Sequence, residues 1–378
     1  MSSISIASRP IGPEHRPFII AEMSGNHNQS LDRALAIVDA AAEAGAAAIK
    51  LQTYTADTIT MPGAYRIADG DSLWRGKELH QLYQEAYTPW EWHQPIMARA
   101  QSLGLVCFSS PFDETAVDFL ESLGVPAYKI ASFENEHYPL MEKVVRTGKP
   151  ILMSTGVIEL PDLEESVAFL RTCGARDLVL LKCTSTYPAN AENANLLTIA
   201  DMRARFGCSV GLSDHTLGIG AAVAAVALGA CVIEKHLTLS RTEGGVDAAF
   251  SLEPDELKAL VTESERAWHA VGKVSYTLSE KEQKQTVFKR SIYAARDLNT
   301  GHILKPVDVR VIRPALGLHP RHFHAVLGTP LRRGIGKGEP LLADHVTLET
   351  APARPKGPAS RLGTRDPAPE ISQTPRSA

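Results

Sequence analysis

The sequence predicts an α/β fold: a (β/α)8 TIM barrel followed by a small β-rich domain. Three observations lead there. Short apolar runs recur eight times along the first three quarters of the chain. Ala- and Leu-rich stretches with helical spacing separate them, and seven of the eight runs follow a glycine. The chain has 378 residues. A single α/β barrel uses about 250, so a second unit is expected at one end.

The first strand is FIIAE, residues 18–22. The stretch LDRALAIVDAAAEAG then places Leu31, Leu35, Val38 and Ala42 on one helical face, with Ser30 positioned to cap its start. Gly45 suits the left-handed turn that ends such a helix. The next strands are expected at 47–52, 105–110, 127–132, 151–155, 178–184, 209–214 and 231–236. Strands alternating with helices imply parallel pairing, and eight units favour a closed barrel. An open doubly wound sheet is the runner-up. It would carry a glycine fingerprint after its first strand, but residues 25–30 read GNHNQS, which is not GxGxxG.

A long excursion from Tyr54 to about Trp92 follows the second strand and is rich in aromatics. Such a loop commonly serves as a lid or substrate wall. Part of it, WRGKELHQLYQEAY, has helical spacing. The last barrel helix carries a stripe of Leu257, Leu260, Val261, Trp268 and Val271 and ends at Gly272. Boundaries are expected at 1–278 for the barrel, 279–287 for a polar linker and 288–349 for the small domain. Residues 350–378 are Pro-, Ala- and Arg-rich without periodicity and read as a disordered tail.

The net charge of −4 gives no nucleic-acid footprint. No apolar run approaches the roughly 20 residues of a membrane span, so no membrane partner is expected. MSSISIASRPIGPEHRP lacks the apolar centre of a signal peptide, so a cytoplasmic location is expected. Cys107, Cys173, Cys183, Cys208 and Cys231 show no CxxC spacing and read as free thiols.

Active sites of this fold sit at the C-terminal ends of the strands. Those ends carry Glu22, then Lys50 and Gln52, then Ser109 and Ser110, then Lys129 and Ser132. Ser154 and Thr155, Lys182 and Thr184, Ser213 with Asp214 and His215, and Glu234 with His236 follow. Ser110, Ser132, Ser154, Thr184, Ser185 and Ser213 are candidate substrate donors. Lys50 and Lys129 face one mouth, and two ammonium groups there call for an anion bearing phosphate, carboxylate or both. His215 and His236 end adjacent strands, about 4.8 Å apart. They either share one divalent ion or act as a hydrogen-bonded acid–base pair. Glu22 either orients a sugar hydroxyl or water, or pairs structurally with a lysine. Asp247, in GGVDAAF, is expected to swing over the mouth on its glycines, and Glu234 to orient a neighbour from behind. A Schiff-base aldolase and a non-catalytic carbohydrate-binding protein are the other classes to weigh.

The motifs AEMSGNHNQSLDRAL, AIKLQTYTADT, YKIAS, MSTG, KCTSTYP, GLSDHT and IEKH resemble the sialic acid synthase family in order and position, from about Phe18 to Glu349. The final segment looks like that family's antifreeze-like (SAF) domain. AEMSGNHN, LWRGKELHQLYQEAYTPWEW and GGVDAAFSLEP are most similar to the pseudaminic acid branch, with the N-acetylneuraminate and legionaminate branches as alternatives. The resemblance implies condensation of phosphoenolpyruvate with an amino-sugar aldehyde, 2,4-diacetamido-2,4,6-trideoxy-L-altrose. It implies Mn2+ or Mg2+ on His215 and His236. Lys50 and Lys129 would hold carboxylate and phosphate, helped by Ser132, Ser154, Ser185 and Ser213. Glu22, Gln52, Tyr187 and Asp247 would contact the sugar or the reacting water. It also implies a homodimer with swapped small domains, in which Arg313 enters the partner's site.

Overall fold

A computed structural model describes residues 4–70 and 72–348. The chain divides into two units after Lys273. The expected tail lies outside the described residues.

The first unit opens with a hairpin that the sequence reading did not anticipate. β1 (Ile4–Ile6) pairs antiparallel with β2 (Arg9–Ile11). Eight further strands follow: β3 (Phe18–Glu22), β4 (Ala48–Thr53), β5 (Val106–Pro111), β6 (Tyr128–Ile130), β7 (Ile151–Ser154), β8 (Leu178–Cys183), β9 (Ser209–Asp214) and β10 (Val232–His236). All neighbouring pairs are parallel, and β10 closes on β3 to make a barrel. Every strand expected from the sequence is present, with ends shifted by two residues or fewer. Each is buried on both faces, so it reads as a near-continuous apolar run.

Side chains alternate between the two faces of a strand. The inward set at the lower end includes Phe18, Ile20, Val106, Phe108, Val179, Leu181 and Val232. Ile4, Ile6 and Ile11 of the hairpin pack into this same cluster. They plug the barrel from below, each contributing about 2 kcal/mol through burial. Moving two residues up each strand changes the chemistry. Ile20 gives way to Glu22, Ala48 to Lys50, Phe108 to Ser110, Leu152 to Ser154, Leu181 to Cys183 and Val232 to Glu234. On β9 the lower position is Gly211, where a Cβ would stand 2.3 Å from the Val232 carbonyl oxygen and 2.7 Å from Leu181. Only glycine fits there, and Ser213 follows two residues later.

The helices pack outside. α1 (Leu31–Glu43) starts at Ser30, whose hydroxyl accepts from the Arg33 N–H at 3.3 Å. Its buried face is Ala34, Ile37, Val38 and Ala41; of the stripe the spacing suggested, Val38 is buried, whereas Leu31, Leu35 and Ala42 are only half-buried. Ala34 and Ala41 let the helix approach the barrel closely and leave the two leucines at its edge. The excursion contains α2 (Ala56–Ile59) and α3 (Leu79–Ala86), and α4 (Trp90–Ser102) returns the chain to β5. The remaining crossovers are α5 (Glu114–Leu123), α6 (Tyr138–Arg146), α7 (Leu160–Thr172), α8 (Thr198–Phe206) and α9 (Gly220–Ala227). α10 (Pro254–Val271) buries Leu257, Leu260 and Ser264, whereas Val271 is exposed, contrary to the predicted stripe. No helix among the described residues is long and apolar enough to cross a membrane.

In the second unit, the segment expected as a plain linker forms α11 (Glu280–Gln285), capped by Ser279. β11 (Ser291–Ala294) and β12 (Val309–Ile312) pair antiparallel, and α12 (Phe323–Val326) is a single turn. The core joins Ile292, Leu298, Leu304, Val309, Val326, Leu331 and Leu341. Buried Asp308 accepts hydrogen bonds from Arg296 and from the Lys305 N–H, and lies 2.8 Å from His302 Nε2. Arg313 follows β12 and is exposed.

Candidate active site

The barrel's upper end opens into a cavity of about 570 Å³. Glu22, Lys50, Gln52, Ser110, Lys129 and Ser132 line it. So do Ser154, Tyr187, Ser213, His215, His236 and Asp247. Three predicted residues are not in this lining. The Thr184 hydroxyl turns away to Asn193 and Lys182, and Ser185 lies just behind Ser132. Arg313 belongs to the second unit. Lys182, on the outward parity of β8, donates to the Cys183 carbonyl instead of entering the barrel.

The floor is ionic. Lys50 pairs with Glu22 and lies 3.9 Å from Glu234; Lys129 lies 3.2 Å from Glu234. Ser213 donates to Glu234 at 3.0 Å, and Lys50 donates to Ser110 at 3.2 Å. The predicted lysine pair is therefore real, but two protein carboxylates already balance it. Glu22 pairs with Lys50, as one of its two readings expected, and accepts from Gln52 and the Ser24 N–H, both at 3.1 Å, while also lining the cavity. Glu234 is not behind the site but inside it. Its parity with Val232 and His236 was the signal that could have placed it there. Burial pushes Glu22 up to about 7 against the pull of Lys50. Burial also pulls Lys50 down, but Glu22 and Glu234 outweigh it and hold the ammonium. Burial lowers Lys129, with Glu234 opposing.

Beside the floor lies a shelf of hydroxyls. A Cβ on Gly156 would stand 2.2 Å from Ser185 Oγ and 2.7 Å from Ser132 Oγ, so the shelf needs glycine. Asn135 donates to the Gly156 carbonyl at 3.0 Å and fixes this turn. Ser154 Oγ is buried without a hydrogen-bond partner. Val157, which follows Gly156, has φ 55°, a left-handed conformation that costs a β-branched residue about 1–3 kcal/mol.

His215 and His236 face each other with ring centroids 5.3 Å apart. His215 Nδ1 lies 3.2 Å from the Thr184 carbonyl, which accepts its proton; burial lowers this ring's pKa, but Cys183 and the Thr184 carbonyl outweigh it and raise it. His236 Nδ1 is buried without a hydrogen-bond partner, 3.8 Å from Asp247 Oδ2. Burial, with His215 and Lys50 adding to it, keeps His236 neutral by lowering its pKa far below the usual range. Among the described residues, no group of three or more His, Cys, Asp or Glu is arranged to hold a metal, so the candidate donors are the two imidazoles.

Asp247 stands at the mouth with its loop held by neighbours. The Ser24 hydroxyl donates to its carboxylate, and Ser251 Oγ donates to its carbonyl at 2.7 Å. Asn26 holds Ser251 at 2.8 Å, and Asn28 donates to the Gly244 carbonyl at 3.2 Å. At Gly245, φ is 132° and a Cβ would lie 2.7 Å from Asn28 Oδ1, so glycine permits the close packing seen here.

Several lining residues were not among the predicted site residues, and two of them carry chemistry. Cys183 shares the inward parity of Leu181 and lies 3.8 Å from His215 Nδ1. Burial opposes its ionisation, but His215 outweighs that and brings the thiol down to about 6. Glu134 is pushed up to about 7 by burial, with Lys129 opposing. Ser24, in the SGNHN motif, and Trp74, in the aromatic excursion expected as a substrate wall, also line the cavity. Cys183 was legible from strand periodicity; Glu134 sits on a loop, where no periodicity marks it.

The chain matches the NeuB family over residues 37–276 and the SAF domain over residues 289–347. It is 42% identical to a pseudaminic acid synthase of Campylobacter jejuni over 331 residues, covering 87% of this chain and 96% of that one. It is 39% identical to the pseudaminic acid synthase of Helicobacter pylori, covering 87% and 98%. The crystal structure of an N-acetylneuraminic acid synthetase from Leptospira borgpetersenii, in complex with citrate, superposes with a TM-score of 0.67 at 33% identity. That superposition covers 75% of this chain and 95% of that one. Barrel, strand-end chemistry and small domain agree: this chain belongs to the NeuB family.

Proposed function

We propose that the protein condenses phosphoenolpyruvate with 2,4-diacetamido-2,4,6-trideoxy-L-altrose and water, giving pseudaminic acid and phosphate. The observation that carries this is one cavity holding two functions. Lys50 and Lys129 stand with a serine shelf, and a neutral His236 faces His215 beside them. The similarity to pseudaminic acid synthases over most of both chains supports the choice of product.

Lys50, Lys129, Ser132, Ser154 and Ser213 bind the carboxylate and phosphate, and the unpartnered Ser154 hydroxyl gains an acceptor. C3 of phosphoenolpyruvate forms the new C–C bond as its C2–C3 π bond and the aldehyde C=O π bond open, and the aldehyde oxygen takes up a proton. Water adds at C2, giving up a proton, and the C2–O bond to phosphate then breaks as C2 becomes a ketone, releasing inorganic phosphate with the second water proton. Glu134, which titrates near neutrality, is suited to take a proton from the incoming water. Asp247, fixed by Ser24, orients the sugar.

A divalent ion fits the His215–His236 pair, because His236 has a buried unpartnered nitrogen and a neutral ring. Bound there, Mn2+ or Mg2+ would polarise the aldehyde oxygen. A Schiff-base aldolase would need a neutral lysine in apolar surroundings, whereas Lys50 stands between two carboxylates and Lys129, though lowered by burial, lies 3.2 Å from Glu234. The loops at the barrel mouth expose Phe133, Val157, Leu197 and Leu217 at 64%, 65%, 76% and 66%. That apolar rim supports a homodimer in which a partner's small domain covers the mouth and delivers Arg313.

The test is phosphate release from phosphoenolpyruvate with Mn2+ and either the trideoxyaltrose or N-acetylmannosamine, with and without EDTA. Release with the trideoxy sugar, lost on chelation and restored by Mn2+, is expected. Release with N-acetylmannosamine alone overturns the product, and release in EDTA overturns the metal. Mixing Arg313→Ala with Lys129→Ala protein should restore activity in hybrid dimers. Verified heterodimers without activity would overturn the shared site.

A further inference from the structure

The cavity has two unlike sides. Its floor is charged, as described above. Its outer side is apolar, and Ile59, Ile67, Trp74, Leu79 and Leu82 all line it from the single excursion between β4 and α4. All but Leu82 are only part-buried, although they stand against the void. A sugar hydroxyl pressed on such a surface loses its water without gaining a partner, whereas a methyl group gains burial. Asp69 and Ser72 of the same segment also line the cavity, so polar groups sit beside the apolar ones. That combination matches an acetamido substituent, which is part methyl and part amide.

The wall is near the chemistry and tied to it. The Trp74 ring lies 5.7 Å from Tyr187, and Tyr187 lies edge-on to His215 at 4.7 Å. The Trp74 indole N–H donates to the Val246 carbonyl at 3.0 Å. Val246 precedes Asp247, whose carboxylate accepts from Ser24. One indole therefore connects the apolar wall to the loop that carries the acid.

We infer that this excursion is the specificity element of the site: its wall selects a sugar whose far end carries methyl and acyl groups in place of hydroxyls, and Trp74 fixes the wall to the Asp247 loop. The inference rests on the condensation proposed above and adds the residues that read the sugar. Trp74 acts as a positioning residue as well as a contact surface.

The experiment uses the full-length Mn2+-loaded protein, phosphoenolpyruvate, and two sugars: the trideoxyaltrose and its counterpart bearing a hydroxyl at C6. Wild type is expected to favour the 6-deoxy sugar by about tenfold or more in kcat/KM. Leu79→Asn should shrink that preference to within about threefold. Trp74→Ala should raise the sugar KM about tenfold while the phosphoenolpyruvate KM moves less than about twofold. Trp74→Phe keeps a ring but loses the N–H, and should raise the sugar KM with the preference retained. Turnover with an unchanged preference in both Leu79→Asn and Trp74→Ala overturns the inference alone. Equal rises in the two substrates' KM values do the same. No turnover of either sugar by the wild type overturns the condensation, and the inference falls with it.

Discussion

Lys129 and Lys235 are both buried lysines paired with a carboxylate within the barrel, at 2% and 0% exposure. They meet neighbouring residues of one strand, Glu234 on the inner face of β10 and Lys235 itself on the outer. Lys235 bonds Asp214 at 2.7 Å and the Thr216 carbonyl at 2.5 Å, and Asp214 also accepts from the Thr216 N–H at 2.9 Å. That pair is closed. Lys129 has only Glu234, at 3.2 Å, and faces a cavity with donor capacity to spare. The same pair of residue types is therefore a fastener on one side of the strand and a ligand site on the other. Spare hydrogen-bonding capacity, not burial, separates the two.

Substitution can break the comparison directly. Lys129→Met should lower kcat/KM about a thousandfold and cost less stability than Lys235→Met, because Glu234 keeps Lys50 at 3.9 Å, its Ser213 donor and access to the cavity. Lys235→Met should do the reverse. It strands Asp214 in the wall and should cost about 3–5 kcal/mol in denaturant unfolding, with activity kept per folded molecule. Similar stability losses in both would dissolve the distinction.

Glu134 sharpens the comparison, since it is a buried acid with no closed pair. Its value of about 7 lies above the ordinary 4.5. The folded protein therefore holds the extra proton between those pH values. The stability this contributes is complete below about pH 4.5 and is lost as pH rises through 7, to the extent of about 3 kcal/mol. Unfolding free energies of Glu134→Gln against wild type across this range should show the slope reduced by one carboxyl's share, with that of Glu22, also raised to about 7, left in place. A wild-type slope unchanged in the variant would put the titration elsewhere.

The smallest effect concerns the shelf. Gly156→Ala should push Ser132 and Ser185 apart and raise the phosphoenolpyruvate KM about tenfold, leaving the sugar KM nearly unchanged. An unaltered KM would remove the hydroxyl shelf from anion binding.

Much of this was legible before the fold was seen, for a definite reason. Buried parallel strands must be apolar throughout, so the step to Glu22, Lys50, Lys129 and His236 marks where each strand leaves the core. The hairpin Ile4–Ile11 was not legible, because two three-residue strands give too little periodicity to notice. The α1 face was misjudged because alanines were discounted against leucines. Glu234 and Cys183 were misplaced although strand parity assigned them inward. Glu134 and Trp74 sit on loops that the rest of the fold brings to the site, and a single sequence carries no period for that.

The isoleucine hairpin has a kinetic corollary. By stoppering the barrel, it turns the site into a blind well with one opening. A small anion seated among the lysines lies below anything resting against the tryptophan side. On the condensation proposed above, traffic would queue: the deeper reactant would enter first, and the shallower one would block its retreat, an order that product-inhibition kinetics would check.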